Sequence, residues 1–385
     1  MKGIQLMTEK LVLLLAVGTL AGSNVSAASP KTEADQHECT TWIVMPELTG
    51  GKYMMIHKNR DSGSQKLQML KCSPDGKYAW MSISNQGRGM AFAGLNAKGL
   101  VVAINSGDQT DFYSDKSGFY TPQICRSALE NCATAEEAVE HIHQHIRSGN
   151  YQHKTSGSIW SIGDGKKAYI IENDAKHFAA HEVKSNFAIR ANAWHYPEMI
   201  VYSKLSPAQL VDNARREFAV RQELFADDKY NEPVTLEKMA VASRIHVFPE
   251  DPKCYPLCGS RTNSGTTLRV DCEYPEALST MFAAFGPPRH TVYLPVPFLA
   301  DDFPEELTSG KFSDAIFARW NADRELLPQD KLIEFERELN TRHDEAVEKA
   351  RDLLKKGGSL ADVKEILVEA FRKNWEAVKN LSEGK

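Results

Sequence analysis

Cys39-Thr40-Thr41-Trp42-Ile43-Val44-Met45, and then Tyr53-Met54-Met55-Ile56-His57-Lys58-Asn59-Arg60-Asp61, are the stretches on which the reading of this chain turns. Each contains a β-like run, Thr41–Met45 and Tyr53–His57. Thr49-Gly50-Gly51 between them is turn material, so the pair reads as a β-hairpin. A cysteine stands at the start of the first strand, and a polar run closes the second. Two further hairpins are expected. One joins Gly89–Ala93 to Leu100–Ile104 through Asn96-Ala97-Lys98-Gly99, and the other joins Ser158–Ile162 to Lys167–Glu172 around Asp164-Gly165. Runs at Asn186–Arg190, Thr266–Val270 and His290–Leu294 complete a β-rich body.

Helices are interspersed. Thr134 and Glu137 have the spacing of a capping box. Ala138, Val139, Ile142 and Ile146 follow at helical spacing, and Gly149 ends the run. Ala208–Leu224 is helical by composition. Near the C-terminus, Leu332, Phe335, Leu339, Val347, Leu353 and Leu354 form an imperfect stripe before Gly357-Gly358. Ser359 and Asp362 then cap a last helix carrying Val363, Ile366, Leu367, Ala370, Phe371 and Trp375, and both helices are expected to pack on the main domain.

The composition of the 385 residues excludes several classes. With 42% hydrophobic and 25% charged residues, the chain is not disordered, fibrous or a multi-span membrane protein. The formal charge of -5, from 46 Lys+Arg against 51 Asp+Glu, has no basic excess, so nucleic acid is not an expected partner.

The N-terminus reads as an export signal. Lys2 and Lys10 precede the apolar run Leu11–Val17, and small residues end in Val25-Ser26-Ala27. The run is too short for a stable span, so no membrane anchor is expected after cleavage. The expected organisation is a signal peptide over 1–27, a polar leader over 28–38, the main domain over 39–325 and a helical C-terminal extension over 326–385. The expected location is secreted or periplasmic. Export implies an oxidising compartment, where cysteines pair. The seven are Cys39, Cys72, Cys125, Cys132, Cys254, Cys258 and Cys272, and setting Cys39 aside leaves an even six.

The polar cluster then acquires a chemistry. If Cys39 becomes the first residue of a mature chain, it carries both a thiol and a free α-amine. That amine, with an intrinsic pKa of about 8, can take the thiol proton without a histidine. Asp61, on the next strand of the hairpin, can orient the amine, and asparagine side chains on nearby strands can donate to the oxyanion formed on attack at an amide.

These segments resemble the N-terminal nucleophile (Ntn) hydrolases with an N-terminal cysteine. That group includes the acyl-coenzyme A:isopenicillin N acyltransferase-like proteins, the bile salt and penicillin V acylases, acid ceramidase and secreted dipeptidases. Cys39-Thr40 and Asn59-Arg60-Asp61 match its opening. The resemblance continues in Gly94–Leu100 and Ala103-Ile104-Asn105, then in Ile170-Ile171-Glu172, Phe187–Asn192 and Pro287–Pro297, and covers roughly residues 39–325. It implies an α+β fold, a four-layer αββα sandwich of two antiparallel sheets between helices. It also implies roles: Cys39 as the nucleophile exposed by autocatalytic cleavage after Glu38, Asp61 as the carboxylate holding its amine, Asn105 as an oxyanion donor, and Asn192 as the asparagine that positions amine and substrate. Many relatives have arginine where this chain has Lys58, which keeps the charge without the planar fork. Arg60 and Arg216 are the candidate substrate-binding arginines.

The expected activity is hydrolysis of a linear amide in a small molecule or short peptide, through a thioester on Cys39 and without a cofactor. Alternatives are a dipeptidase, an acyltransferase with an amine in place of water, and an exported binding protein that keeps the fold without the chemistry. No metal site is expected: His141 and His145 lie four apart on a helix but have no acidic or cysteine partners in sequence. Asp108/Asp111 and Asp301-Asp302 read equally as cation ligands or surface loops. A homo-oligomer is compatible with the sequence.

Overall fold

The computed structural model describes residues 39–73, 77–114, 118–153, 155–225, 232–246, 256–322 and 327–383. The signal, the leader and Cys254 lie outside the described residues. The strands are β1 (Thr40–Val44), β2 (Tyr53–Asp61), β3 (Leu67–Cys72), β4 (Trp80–Asn85), β5 (Ala93–Asn96), β6 (Val101–Gln109), β7 (Ser156–Gly163), β8 (Ala168–Asn173), β9 (Phe178–Glu182), β10 (Phe187–Arg190), β11 (Thr262–Asp271), β12 (Thr280–Ala284) and β13 (Leu294–Pro297). They build two antiparallel sheets. One is six-stranded in the order β10-β1-β2-β11-β12-β13; the other is seven-stranded in the order β3-β4-β5-β6-β7-β8-β9. The helices are α1 (Thr121–Asn131), α2 (Ala135–Arg147), α3 (Pro197–Ile200), α4 (Pro207–Phe225), α5 (Leu236–Ser243), α6 (Pro275–Leu278), α7 (Glu305–Thr308), α8 (Lys311–Asn321), α9 (Gln329–Lys355) and α10 (Leu360–Glu383).

Side-chain alternation stacks these layers. Ile43, Met54 and Ile56 of the first sheet meet Met81, Val101 and Ile159 of the second in one buried cluster. The outer face of the second sheet, through Val102, Trp160 and Ile171, packs under Ile124, Leu129 and Ile142 of α1 and α2. The outer face of the first sheet, through Trp42, Val44 and Met55, packs under Val220 and Leu224 of α4 and Met239 of α5. The order helix, sheet, sheet, helix is the expected four-layer αββα arrangement.

The β1–β2 hairpin turns on Gly50 and Gly51, both at positive φ (73° and 79°), a conformation glycine adopts without a Cβ clash. Its register pairs Thr40 with Asn59 and Thr41 with Lys58, which sets Cys39 across from Arg60. The Thr134 hydroxyl accepts from the Glu137 backbone N–H, so the expected cap starts α2.

Two strand boundaries differ from expectation. Residues 89–92 are irregular and the strand begins at Ala93, with Ile104 N–H donating to the Phe92 carbonyl. At 288–290 the chain makes a single helical turn after Pro287-Pro288, because proline cannot donate to a ladder; the strand starts at Leu294. Strands β3, β4, β9 and β12, helices α1, α5 and α8 and the single turns α3, α6 and α7 were not read from the sequence.

The expected disulfides are corrected. The six described cysteines, Cys39, Cys72, Cys125, Cys132, Cys258 and Cys272, are all free. Burial explains two of them: the Cys125 thiol donates to the Val102 carbonyl under α1, and burial pushes the Cys258 thiol up to about 12.

Helices α9 and α10 form an antiparallel pair, with Val347 and Ala350 against Val363 and Leu367. They also send Leu332, Leu339, Phe371 and Val378 into the cluster that contains the sheet residues. Phe371 is 1% exposed and stands edge-on to Phe303, ring centroids 5.8 Å apart. Phe371→Ala is expected to lower unfolding free energy by about 3–5 kcal/mol, measured by urea denaturation. A loss below about 1 kcal/mol would show that the helical pair is dispensable to the core.

Candidate functional site

The inner face of β2 changes character along its length. Met54 and Ile56 belong to the intersheet core, and the next two residues of the same parity are Lys58 and Arg60, 3% and 5% exposed. On β6 the same happens: Val101 and Ala103 are core, and Asn105 follows. The polar ends of the two faces meet across the sandwich. Lys58 Nζ donates to the Ile104 carbonyl at 2.6 Å and to Asn105 Oδ1 at 2.8 Å. Burial pulls the Lys58 ammonium down from its ordinary value, and the neighbouring Cys39 and Asp61 oppose that shift. Cys39 is buried at the head of β1.

Lysine has only donors, so the Asn105 amide is oriented with its oxygen toward Lys58. Its Nδ2 then donates to the Arg190 and Ala191 carbonyls, both at 3.0 Å, and lies 3.2 Å from Thr41 Oγ1. Both Nδ2 hydrogens are engaged by main-chain carbonyls, and in this arrangement Asn105 joins Lys58 to the 190–191 segment.

On the other side of Cys39 is Arg216, 2% exposed, from the polar first half of α4. Its Nη1 donates to the Cys39 carbonyl and to Thr40 Oγ1, each at 3.1 Å. Both terminal nitrogens reach Asn192 Oδ1, and Nη2 donates to Asn213 Oδ1 at 2.7 Å. Asn192 Nδ2 donates to the Ser106 carbonyl at 2.8 Å. Arg60 Nη1 donates to Asn85 Oδ1 at 2.9 Å, and its guanidinium lies 3.7 Å over the Phe92 ring. Asp61 lies next along β2, paired with Thr262 of β11, and acts electrostatically on both Lys58 and Arg60. The fold thus brings Lys58, Arg60, Asp61, Asn105, Asn192 and Arg216 to the end of the sandwich where Cys39 stands.

Sequence reasoning did not single out the groups that hold the Asn192 loop. Ala191 N–H donates to Glu217 Oε1, Asn192 N–H to Asn213 Oδ1, Trp194 N–H to Asp108 Oδ1, and the His195 and Tyr196 N–H groups to Glu172. Glu172 is fully buried and ion-paired with Arg190 at 3.0 Å. Burial raises the Asp108 carboxyl to about 7, and Glu172 adds to the shift. The one signal available was Glu172 and Asp108 at the ends of apolar strands. Gly107 belongs to the same device, since a Cβ there would come within 2.6 Å of Trp194 Nε1.

The remaining candidates lie elsewhere. His141 Nε2 meets Ser127 Oγ at 3.0 Å and its ring packs on His145. Asp111 pairs with Lys204, Asp301 with Lys364 and Asp302 with Arg372. Among the described residues no group of three or more His, Cys, Asp or Glu is arranged to hold a metal ion. Nor is any helix there long and apolar enough to cross a membrane.

Residues 48–213 match the family model of acyl-coenzyme A:6-aminopenicillanic acid acyl-transferase. The match spans Lys58, Arg60, Asp61, Asn105 and Asn192, and it supports the Ntn-hydrolase resemblance and, more broadly, an amide hydrolase or acyltransferase. No curated protein matches the chain. Among solved structures, a conjugated bile acid hydrolase from Clostridium perfringens is similar at 12% identity and TM-score 0.43, covering 69% of this chain and 93% of its own. An N-acylethanolamine-hydrolyzing acid amidase ortholog from Caenorhabditis elegans is similar at 15% identity and TM-score 0.40, covering 60% of this chain and 92% of its own.

Two predictions follow from the geometry. Glu172→Ala strands the Arg190 charge and two backbone N–H groups, at an expected cost of about 3–5 kcal/mol in urea unfolding; a loss within 1 kcal/mol would show that the loop is held without it. The second concerns His57, on the outer face of β2, stacked on Trp42 at 4.0 Å. Asn59 Nδ2 donates to the Ser243 and Leu257 carbonyls, so its Oδ1 accepts from His57 Nε2–H, and the Thr267 hydroxyl serves Nδ1. Burial, chiefly, pulls this imidazole down to about 3, with Lys58 and Arg244 contributing. The unfolded chain therefore takes up a proton between the ordinary histidine value and pH 3 that the folded chain refuses, and stability falls as pH falls through that window. One such group contributes a slope of up to about 1.4 kcal/mol per pH unit. His57→Gln is expected to flatten the slope of urea-derived stability between pH 6 and pH 4; an unchanged slope contradicts the assignment.

Proposed function

We propose that the protein is an exported Ntn-type amidohydrolase in which Cys39 is the nucleophile. The observation that supports this most is the buried cationic surrounding of Cys39: Arg216 donates to its carbonyl, and the buried Lys58 ammonium is close enough for the two to interact electrostatically. On this reading the leader is removed by attack of the Cys39 thiol on the Glu38 carbonyl, followed by hydrolysis of the resulting ester bond to sulfur. The freed α-amine, held by Asp61, takes the thiol proton. The sulfur attacks the substrate carbonyl, and the Lys58 ammonium stabilises the negative charge on the reacting centre, with Arg60 and Arg216 left to bind substrate. The tetrahedral intermediate collapses, and the leaving amine departs with the proton. Water then adds to the thioester, releasing the acid and restoring the thiol. If an amine takes the place of that water, the same thioester delivers an acyl group, the reaction named in the matched family's description. A dipeptide substrate would use the same steps. Export rests on the signal-like pattern of residues 1–27.

The test is intact mass and N-terminal sequencing of the exported protein, beside Cys39→Ala. Wild type is expected to begin at Cys39 and to hydrolyse N-acyl amides, while Cys39→Ala keeps residues 28–38 and loses activity by at least 10³-fold. A wild-type chain that retains Glu38 contradicts the free-amine mechanism and favours a binding protein on the same fold.

A further inference from the structure

A cavity lies on the outer face of the first sheet, opposite in parity along β2 to Lys58. It measures about 410 Å³, within the range of about 300–1,000 Å³ in which small-molecule sites fall. Tyr53 and Met55 of β2 and Arg269 of β11 form its floor. Val234 and Leu236, on either side of the Thr235 cap of α5, close one side, and Ile333 and Asn340 of α9 close the other. Two of the charged groups in its wall are already matched. Glu237 takes two hydrogen bonds from Arg337, and Glu336 takes two from the buried Arg244.

Arg269, Asp344 and Asn340 are not so matched. Arg269 is 2% exposed, and its guanidinium rests on the Tyr53 and Phe282 rings, 4.4 and 4.9 Å from their centroids. Its Nε and Nη2 are buried without an acceptor among the described residues. Nη1 lies 2.8 Å from Asp344 Oδ1, yet that oxygen has no aligned donor. Asn340 Oδ1, one helical turn before Asp344 on α9, is also buried without a donor among the described residues. Four unsatisfied polar atoms from three side chains thus gather on one wall. Buried polar groups are ordinarily hydrogen-bonded, and a cluster of exceptions beside a cavity points to a polar ligand that supplies the partners. The three side chains are a cation, a carboxylate and an amide. A ligand of one sign would satisfy Arg269 or Asp344 and meet repulsion from the other. The ligand therefore carries both signs, close together, because the two charges it meets are 2.8 Å apart. A carboxylate and an ammonium on one carbon meet that condition, whereas the ends of a dipeptide are a residue further apart. Access is open, since the Asp344 side chain is 47% exposed.

We propose that this cavity binds a free α-amino acid with an apolar side chain, its carboxylate at Arg269, its ammonium at Asp344 and Asn340 Oδ1, and its side chain against Met55, Val234, Leu236 and Ile333. The site lies across the sheet from the Cys39 cluster and does not depend on the reaction proposed there.

The experiment is calorimetric titration of the purified protein with L-phenylalanine, phenethylamine and 3-phenylpropanoate, which share one apolar body and differ in the charges it carries. Phenylalanine is expected to bind at least about 10-fold more tightly than either of the others. Arg269 is buried in the sheet and its loss can unfold the chain, so the variants are Asp344→Asn and Asn340→Leu on α9, each checked for an unchanged thermal midpoint. Asp344→Asn is expected to weaken phenylalanine by about 10-fold and to leave 3-phenylpropanoate bound at least as well as in the wild type, a crossed pattern that general damage would not produce. Asn340→Leu is expected to weaken phenylalanine too, and it carries the test alone if Asp344→Asn does not fold. Three outcomes overturn the proposal: no phenylalanine binding at about 10 mM, equal binding of the three compounds, or phenylalanine binding that the folded variants retain in full, which would place the ligand elsewhere on the chain.

Discussion

The Lys58 ammonium lies between two sheets where water is excluded, and its donors must find acceptors within the protein. They find the Ile104 carbonyl and Asn105 Oδ1 on the facing sheet. Much of the site follows from this. The amide of Asn105 is turned by it, and the turned amide in turn holds the carbonyls of Arg190 and Ala191. An apolar residue at 58 would pack the sandwich just as well, but it would leave the Asn105 oxygen without that donor.

A second constraint is the segment that follows β10. It leaves the sheet at Arg190 and cannot satisfy its backbone N–H groups by strand pairing. Side chains from three other elements accept them instead: Asp108 from β6, Glu172 from β8, and Asn213 and Glu217 from α4. Asn192 is thereby set against Arg216, and Arg216 against the Cys39 carbonyl. Acids that look like surface or cation-binding residues in a linear reading are here part of the scaffold. The buried carboxylates are tolerated because backbone donors and Arg190 compensate them.

The parts of this organisation that were legible in the sequence are the local ones. The β1–β2 turn is written in Gly50-Gly51 and the α2 cap in Thr134 and Glu137. The amphipathic stripes of α9 and α10 also stand out. Strand β12, Thr280–Ala284, is buried along its whole length and shows no alternation, so periodicity could not find it. Strands β3 and β4 are joined through Ser73-Pro74-Asp75-Gly76, a turn signature that the reading of the sequence passed over. The disulfides inferred from an exported chain were a compartment argument, and the described thiols stand free on separate elements.

The sequence alone determined that Cys39 and the Lys58–Asp61 run face each other, because hairpin register is a local property set by turn and alternation. It also marked Asn105 and Asn192, through the family resemblance that the surrounding segments carry. Only the tertiary structure decided what those side chains do. The orientation of Asn105, the arrival of Arg216 from a helix far along the chain, and the seating of Arg60 on Asn85 and Phe92 depend on which groups the other layers present. Those partners lie from about 25 to 180 residues away in the chain, and hydrogen bonds and charge balance across that span are properties of the packed layers rather than of any segment.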